Sequence, residues 1–242
     1  MATPVALLYG DGVPQETLAR VAARHGMKLA APDTKPATGG AHHVLLLANP
    51  THDNLLPWLS RPFSAYVEII DGEDNPLNDD LLEGLSAGKL CFSFATSTSY
   101  LIDSAALICE ALAARGVLTP IRRSDVELSL HETISNAVVH GNLALESNMK
   151  GDISHFAQFA MELQKRMHAP EARLRIDISA GWDSEFLDVS IADKGKGYDE
   201  SKLPVNIDPF APAGRGLAII RSLTLATNVT HGGRVTTLRF VT

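Results

Sequence analysis

The segment LSLHETISNAVVHGN, residues 128–142, constrains the fold more than any other stretch of the chain. Val126, Leu130, Ile134 and Val138 recur every four residues, and so do Glu132, Asn136 and His140. Residues four apart are neighbours on one helix face. A shift of two residues turns a helix by about 200°, so the two rows lie on nearly opposite faces. The apolar row packs on a core. The other row stacks a carboxylate, a carboxamide and an imidazole in a column, either as a solvated face or as a site.

The flanking sequence shows what that helix packs against. The first part of the chain alternates short strands with helices. PVALLYG (4–10) reads as a buried strand, PQETLARVAARHG (14–26) as a helix opened by Pro14 and closed by Gly26, and MKLAAP as a second strand. HHVLLLANP is a near-continuous apolar run of the kind found in parallel strands. AYVEIIDG is another strand, and LNDDLLEGLSAG a helix ending on glycine. Such alternation implies a small parallel α/β domain over 1–86.

The remainder, 87–242, reads as α+β. KLCFSFATS is a strand, and TSYLIDSAALICEALAARG one amphipathic helix ending at Gly116. Ser124 or Asp125 is placed to cap the helix of the opening segment. ISHFAQFAMELQKRM (153–167) is a further helix. In RLRIDISAG the residues Leu174, Ile176 and Ile178 face one way; in FLDVSIAD so do Leu187, Val189 and Ile191, with WDSE as a hairpin loop between. GLAIIRSLTLAT is a last helix before a final hairpin that ends in RVTTLRFVT.

Charge and cysteine usage narrow the partners. The formal charge is −7 with no basic block, which argues against a nucleic-acid surface, because phosphate binding needs clustered Lys and Arg. Cys91 and Cys109 lie in apolar surroundings without metal-ligand spacing, as expected in a reducing compartment. MATPVALLYGDG lacks the basic start of a signal peptide. No apolar stretch approaches the roughly 18 residues of a membrane span. The expectation is a cytoplasmic protein with no membrane partner.

Three pieces belong together: Glu132 and Asn136 on their helix, IADKGKGYD (191–199) at a strand end, and AGRGLAIIRS (213–222) at a helix start. Each suits a nucleotide. Asp193 can accept a hydrogen bond from an exocyclic amine such as that of adenine, contributing about 1.5–3 kcal/mol. Gly195 and Gly197 let the backbone come close to a flat base. Gly214 and Gly216 offer backbone N–H groups at a positive helix end, and Arg215 adds a charged fork. Asn136 offers an oxygen to Mg2+, which keeps several waters and bridges phosphates. Glu132, one turn earlier, can take a proton from a water or hydroxyl nucleophile. Taken singly each piece has a plainer reading: a wet helix face, a surface turn, a helix start. HETIS also lacks the second histidine of the zinc motif.

In this order and on these elements, the pieces resemble the GHKL superfamily of histidine kinases, gyrase and anti-sigma-factor serine kinases. ELSLHETISNAVVHGN is similar to its N box, DKGKGYD to its G1 box and GRGLAIIRSL to its G2 box. The likeness covers roughly 88–242 and is nearest to the anti-sigma-factor, serine/threonine-kinase-like branch. It implies a GHKL α/β-sandwich ATPase domain with ATP and Mg2+ as cofactors. Asn136 would hold the metal and Glu132 act as catalytic base. Asp193 would recognise adenine, with Gly195 and Gly197 shaping the pocket. Gly214, Arg215 and Gly216 would contact phosphates, and His140, Leu217 and Thr237 would complete the nucleotide-contacting set. Residues 198–213 would form an ATP lid. GGRVTTLRF replaces the usual Gly-Thr, which leaves open whether Thr236 or Thr237 reaches the adenine. The stretch 143–172 adds a helix, as a partner surface or as packing. Only one long helix precedes the N box and it holds no histidine, so a histidine kinase proper does not fit. Gyrase-type relatives need a further domain.

The first 86 residues resemble, more weakly, a response-regulator receiver. Ala48 and Asn49 stand where its phosphorylated aspartate would be, only Asp11 remains of the acidic pair, and FSFATS supplies no lysine. Such a unit would be unphosphorylatable and serve interaction or dimerisation. The resemblance implies a protein kinase acting in bacterial partner switching on an anti-sigma antagonist or with a sigma factor. The alternative is a non-catalytic switch that grips or releases a protein according to bound ATP or ADP. Relatives in this branch are often dimers, so a homodimer is a candidate assembly.

Overall fold

A computed structural model of the chain describes residues 6–31, 42–60, 62–73, 75–145, 153–198 and 215–242. Nine strands form one sheet. They are β1 (Leu7–Asp11), β2 (Lys28–Leu29), β3 (His43–Leu47), β4 (Ala65–Glu68), β5 (Leu90–Ala95), β6 (Arg175–Trp182), β7 (Phe186–Ala192), β8 (Ala226–Thr230) and β9 (Val235–Val241), in the order β2-β1-β3-β4-β5-β6-β7-β9-β8. The first five are parallel. The last four are antiparallel. β5 belongs to both halves, pairing with β4 in parallel and β6 antiparallel, Phe92 opposite Ile178.

The helices are α1 (Gln15–His25), α2 (His52–Leu59), α3 (Asp79–Ser86), α4 (Thr96–Leu101), α5 (Ser104–Ala113), α6 (Pro120–Asn136), α7 (Ile153–Arg166) and α8 (Arg215–Leu223). Alternation along the strands sorts them by face. Leu45, Leu47, Tyr66, Phe92, Phe94, Ile176, Ile178, Leu187, Val189 and Ile191 join one core with residues of α2, α5, α6 and α8. Val44, Leu46, Ala65, Val67 and Cys91 join another with residues of α1 and α3. The row Val126, Leu130, Ile134 and Val138 is buried in the first core, as its spacing predicts. Both cysteines are buried free thiols, and desolvation pushes each up to about 12.

The order β2-β1-β3-β4-β5 is that of a flavodoxin-like sheet. The helix placement is not that of a doubly wound one. Steps from β3 to β4 and from β4 to β5 run the same way across the sheet, yet α2 and α3 lie on opposite faces. The two crossovers therefore have opposite hands, and one departs from the right-handed rule. The face over β5 is already filled by the α5–α6 layer, which leaves α3 the other side. Asp11 is engaged too, its Oδ2 accepting from Trp58 Nε1 at 3.1 Å.

Several local expectations need correction. The stretch expected as one helix over 98–116 is two, α4 and α5. The chain breaks at Ile102–Asp103, where Asp103 caps α5 by accepting from the Ala106 N–H. α5 is almost wholly buried rather than amphipathic, lying between sheet and α6. α6 begins four residues before Ser124, with Thr119 at its N-cap and Pro120 in its first turn, so neither Ser124 nor Asp125 caps it. α2 went unforeseen, although Thr51 and Asn54 form a capping box before it. The last helix ends at Leu223, and Ala226 already starts β8.

Candidate functional site

Glu132 and Asn136 sit on the side of α6 away from the buried row, both half-buried, with α8 packed alongside. The start of α8 comes in very close. A Cβ added at Gly216 would lie 2.5 Å from Glu132 Oε2 and 3.7 Å from Asn136 Nδ2. The glycine after Arg215 thus lays bare backbone against the polar row of α6. Gly214 lies outside the described residues; Arg215 opens α8, and Leu217 follows half-buried in its first turn.

Beyond Asn136 the helix widens into a π-helical turn, Ala137–Asn142. Such turns are uncommon and recur at functional sites. The widening breaks the four-residue column after Asn136. His140 is exposed, and its Nδ1 donates to the Leu145 carbonyl at 2.6 Å. Its ring thereby fastens the end of the turn instead of extending the column. Gly141 and Asn142 are brought to the end of β7. A Cβ on Gly141 would lie 2.6 Å from the Asp193 carboxyl carbon, and one on Gly195 would overlap the Gly141 carbonyl.

Asp193 therefore rests on bare backbone from two elements. Its Oδ1 accepts from the Gly195 N–H at 2.8 Å. Among the described residues no hydrogen-bond donor reaches Oδ2. Burial raises its carboxyl above the ordinary carboxylate range, opposed by the Gly195 N–H and by the charges of Arg234 and Lys194. Asn142 is the residue that sequence reasoning passed over. It is buried; its Oδ1 accepts from the Lys194 N–H at 2.7 Å, and its Nδ2 donates to Thr96 Oγ1 and the Arg175 carbonyl. The only hint was its position closing the HGN triplet.

Gly197 lies in the loop after β7, packed against the loop between β8 and β9. Its φ is 71°, a Cβ there would overlap the Gly232 carbonyl, and Tyr198 N–H donates to that carbonyl at 3.0 Å. Thr237, expected among the nucleotide contacts, lies in β9. It pairs with Ser190, its hydroxyl lies 2.8 Å from Ser190 Oγ, and it faces away from the helices. Thr236, opposite the buried Ile191, shares the face that Asp193 continues. The expected lid lies, except for Tyr198, outside the described residues.

The Histidine kinase-like ATPase domain family matches residues 95–242, more than half of the chain. The chain belongs to this family. None of the curated proteins searched matches it. Membership makes this a GHKL-type, ATP-binding protein, and the geometry fits such a ligand. Gly141 and Gly195 pack against each other and against Asp193, and Gly216 packs against Glu132, so a side chain at any of the three would collide with the polar residues gathered here. No cluster of three His, Cys, Asp or Glu among the described residues could hold a metal. A Mg2+ that keeps its waters and bridges phosphates needs only one or two protein oxygens, and Asn136 can offer one. No helix among the described residues is long and apolar enough to cross a membrane.

Proposed function

We propose that this chain is an ATP- and Mg2+-dependent protein serine/threonine kinase of the anti-sigma-factor type, acting in bacterial partner switching. The carrying observation is the approach of Gly216 to Glu132. It sets a carboxylate at the N-terminus of α8, where backbone N–H groups favour phosphate. Asp193 would orient the adenine, and Asn136 would hold Mg2+. Bound ATP supplies the phosphoryl group, and the metal offsets its charge. Glu132 would accept the proton of a serine or threonine hydroxyl on a small antagonist protein as that oxygen bonds the γ-phosphorus and ADP leaves. Most of the acceleration would come from positioning and charge stabilisation. The cytoplasm is the proposed setting, and a homodimer the proposed assembly.

The test is phosphotransfer from labelled ATP to proteins that co-purify with the full chain. Wild type should label a serine or threonine of one of them. Glu132→Gln should bind ATP as wild type does and label nothing. A wild type that binds ATP and phosphorylates no partner, with signalling intact in Glu132→Gln, would replace the kinase by a nucleotide-dependent binding switch.

A further inference from the structure

The residue after Asp193 is gripped from both faces of the sheet. On the helix side, the Lys194 N–H donates to Asn142 Oδ1 at 2.7 Å. On the other side, its Nζ reaches Asp177 Oδ2 at 3.0 Å. Both partners are themselves fixed. Asn142 is held by Thr96 and the Arg175 carbonyl. Asp177 is buried in β6 and accepts from Ser93 Oγ on β5 and from Asn78 Nδ2, the cap of α3, at 3.0 Å. The exposed Asp80 lies 3.7 Å from Nζ and adds little in solvent.

We propose that Lys194 is a positioning residue for base recognition, and that its ammonium, anchored on Asp177, sets how well Asp193 selects adenine. The inference rests on the reading of Asp193 as the adenine acceptor. The physical reason is backbone orientation. Asp193 has its own N–H donated to the Arg234 carbonyl at 3.0 Å, so the strand pairing fixes the chain on its near side. Beyond it the backbone leaves the sheet, and Lys194 is the next point of attachment. With the ammonium gone, only the Asn142 bond would hold that point, and the carboxylate direction would loosen. The Lys194 side chain is itself 37 % exposed, but its carboxylate partner is buried, and a charge-assisted bond to such a fixed acceptor restrains a side chain more than a neutral one does. Asn78 also belongs to the first 86 residues, so those residues would support base selection through Asp177.

The experiment compares ATP with inosine triphosphate, which has the same phosphates but no exocyclic amine. Calorimetric titration of both into the full chain gives a discrimination ratio. Loss of a phosphate-attracting charge would weaken both ligands equally and leave the ratio unchanged. Lys194→Met should lower the ratio about tenfold, by weakening ATP alone, and Lys194→Arg should restore most of it. Asp177→Asn keeps the side-chain shape and should give the same loss, with no further loss in the double variant. This second variant keeps the test in force should Lys194→Met not fold. An unchanged ratio in folded Lys194→Met or Asp177→Asn overturns the inference. A wild type that does not prefer ATP, or an Asp193→Asn variant that still does, removes the adenine reading beneath it and the inference with it.

Discussion

Gly216 and Glu132 are so close that a methyl group on the glycine would stand 2.5 Å from the carboxylate oxygen Oε2. The contact joins two segments more than 80 residues apart in sequence. It makes the start of α8 and the polar row of α6 a single surface. Gly195 stands in an equivalent relation to the Gly141 backbone, but there the neighbour is a carbonyl that cannot swing aside.

That difference predicts two distinct phenotypes. In Gly216→Ala the end of the Glu132 side chain can rotate away, so stability should fall by less than about 1 kcal/mol while phosphotransfer is lost. Gly195→Ala has no such escape and should cost about 2–3 kcal/mol by overpacking. Urea unfolding midpoints separate the two.

Asp193→Asn should abolish ATP binding without weakening the nucleotide-free protein. Burial raises the Asp193 carboxyl above its ordinary 3.8, so the folded chain holds that proton more tightly than the unfolded one. The contribution is favourable below the ordinary value and is lost as pH rises through the raised one. Asparagine can still accept the Gly195 N–H and carries no charge to desolvate. The variant should therefore unfold at higher urea than wild type at pH 7, and its advantage should shrink towards pH 4.

The two threonines of β9 should behave differently. Thr236→Val should weaken ATP several-fold, because Thr236 shares the face of Asp193. Thr237→Val should leave ATP affinity unchanged and cost about 1 kcal/mol, the value of its bond to Ser190. Titration and urea unfolding of both variants check this. ATP lost in Thr237→Val alone would reverse the assignment.

The chain should unfold in one step. Arg175 on β6 reaches back to Glu73, pairing with its Oε1 at 2.7 Å, and donates to the Glu68 carbonyl and to Ser93. Trp58 on α2 and Trp182 on β6 report on the two ends of this arrangement. Fluorescence of Trp58→Phe and Trp182→Phe should give coincident urea transitions. Arg175→Ala should shift both together by about 3 kcal/mol, since it leaves Glu73 unpaired at the seam.

Period-based reading placed all strands but one near their observed ends because each carries either alternation, as Leu187, Val189 and Ile191 do, or an unbroken apolar run, as His43–Leu47 does. β8 escaped because its ATNVT has no buried side, its residues being at most half-buried. α2 escaped because Pro57 reads as a helix breaker, yet it sits in a short helix secured by a cap. In the candidate site, residue type and order singled out Glu132, Asn136 and Gly216, which the fold brings together, and Asp193, which it sets against Gly141 and Gly195. Asn142 was not, because its bonds run to Thr96, Arg175 and Lys194, partners far away in sequence. The π-helical widening takes His140 out of the four-residue column, and a one-residue step in a strand reverses the face, which sets Thr237 on the other face from Thr236; neither displacement shows in the spacing of the sequence.

β5 is hydrogen-bonded along both sides. Dividing the chain at 86/87 would leave β4 without its neighbour in one fragment and bare one flank of β5 in the other. Uncovered strand flanks recruit strands from other molecules. Separated halves would therefore be adhesive, prone to filaments or swapped dimers. The intact sheet leaves only β2 and β8 as its margins, of two and five residues. In the folded chain, continuity through β5 thus keeps both of its flanks covered, a reason for the two halves to travel as one polypeptide.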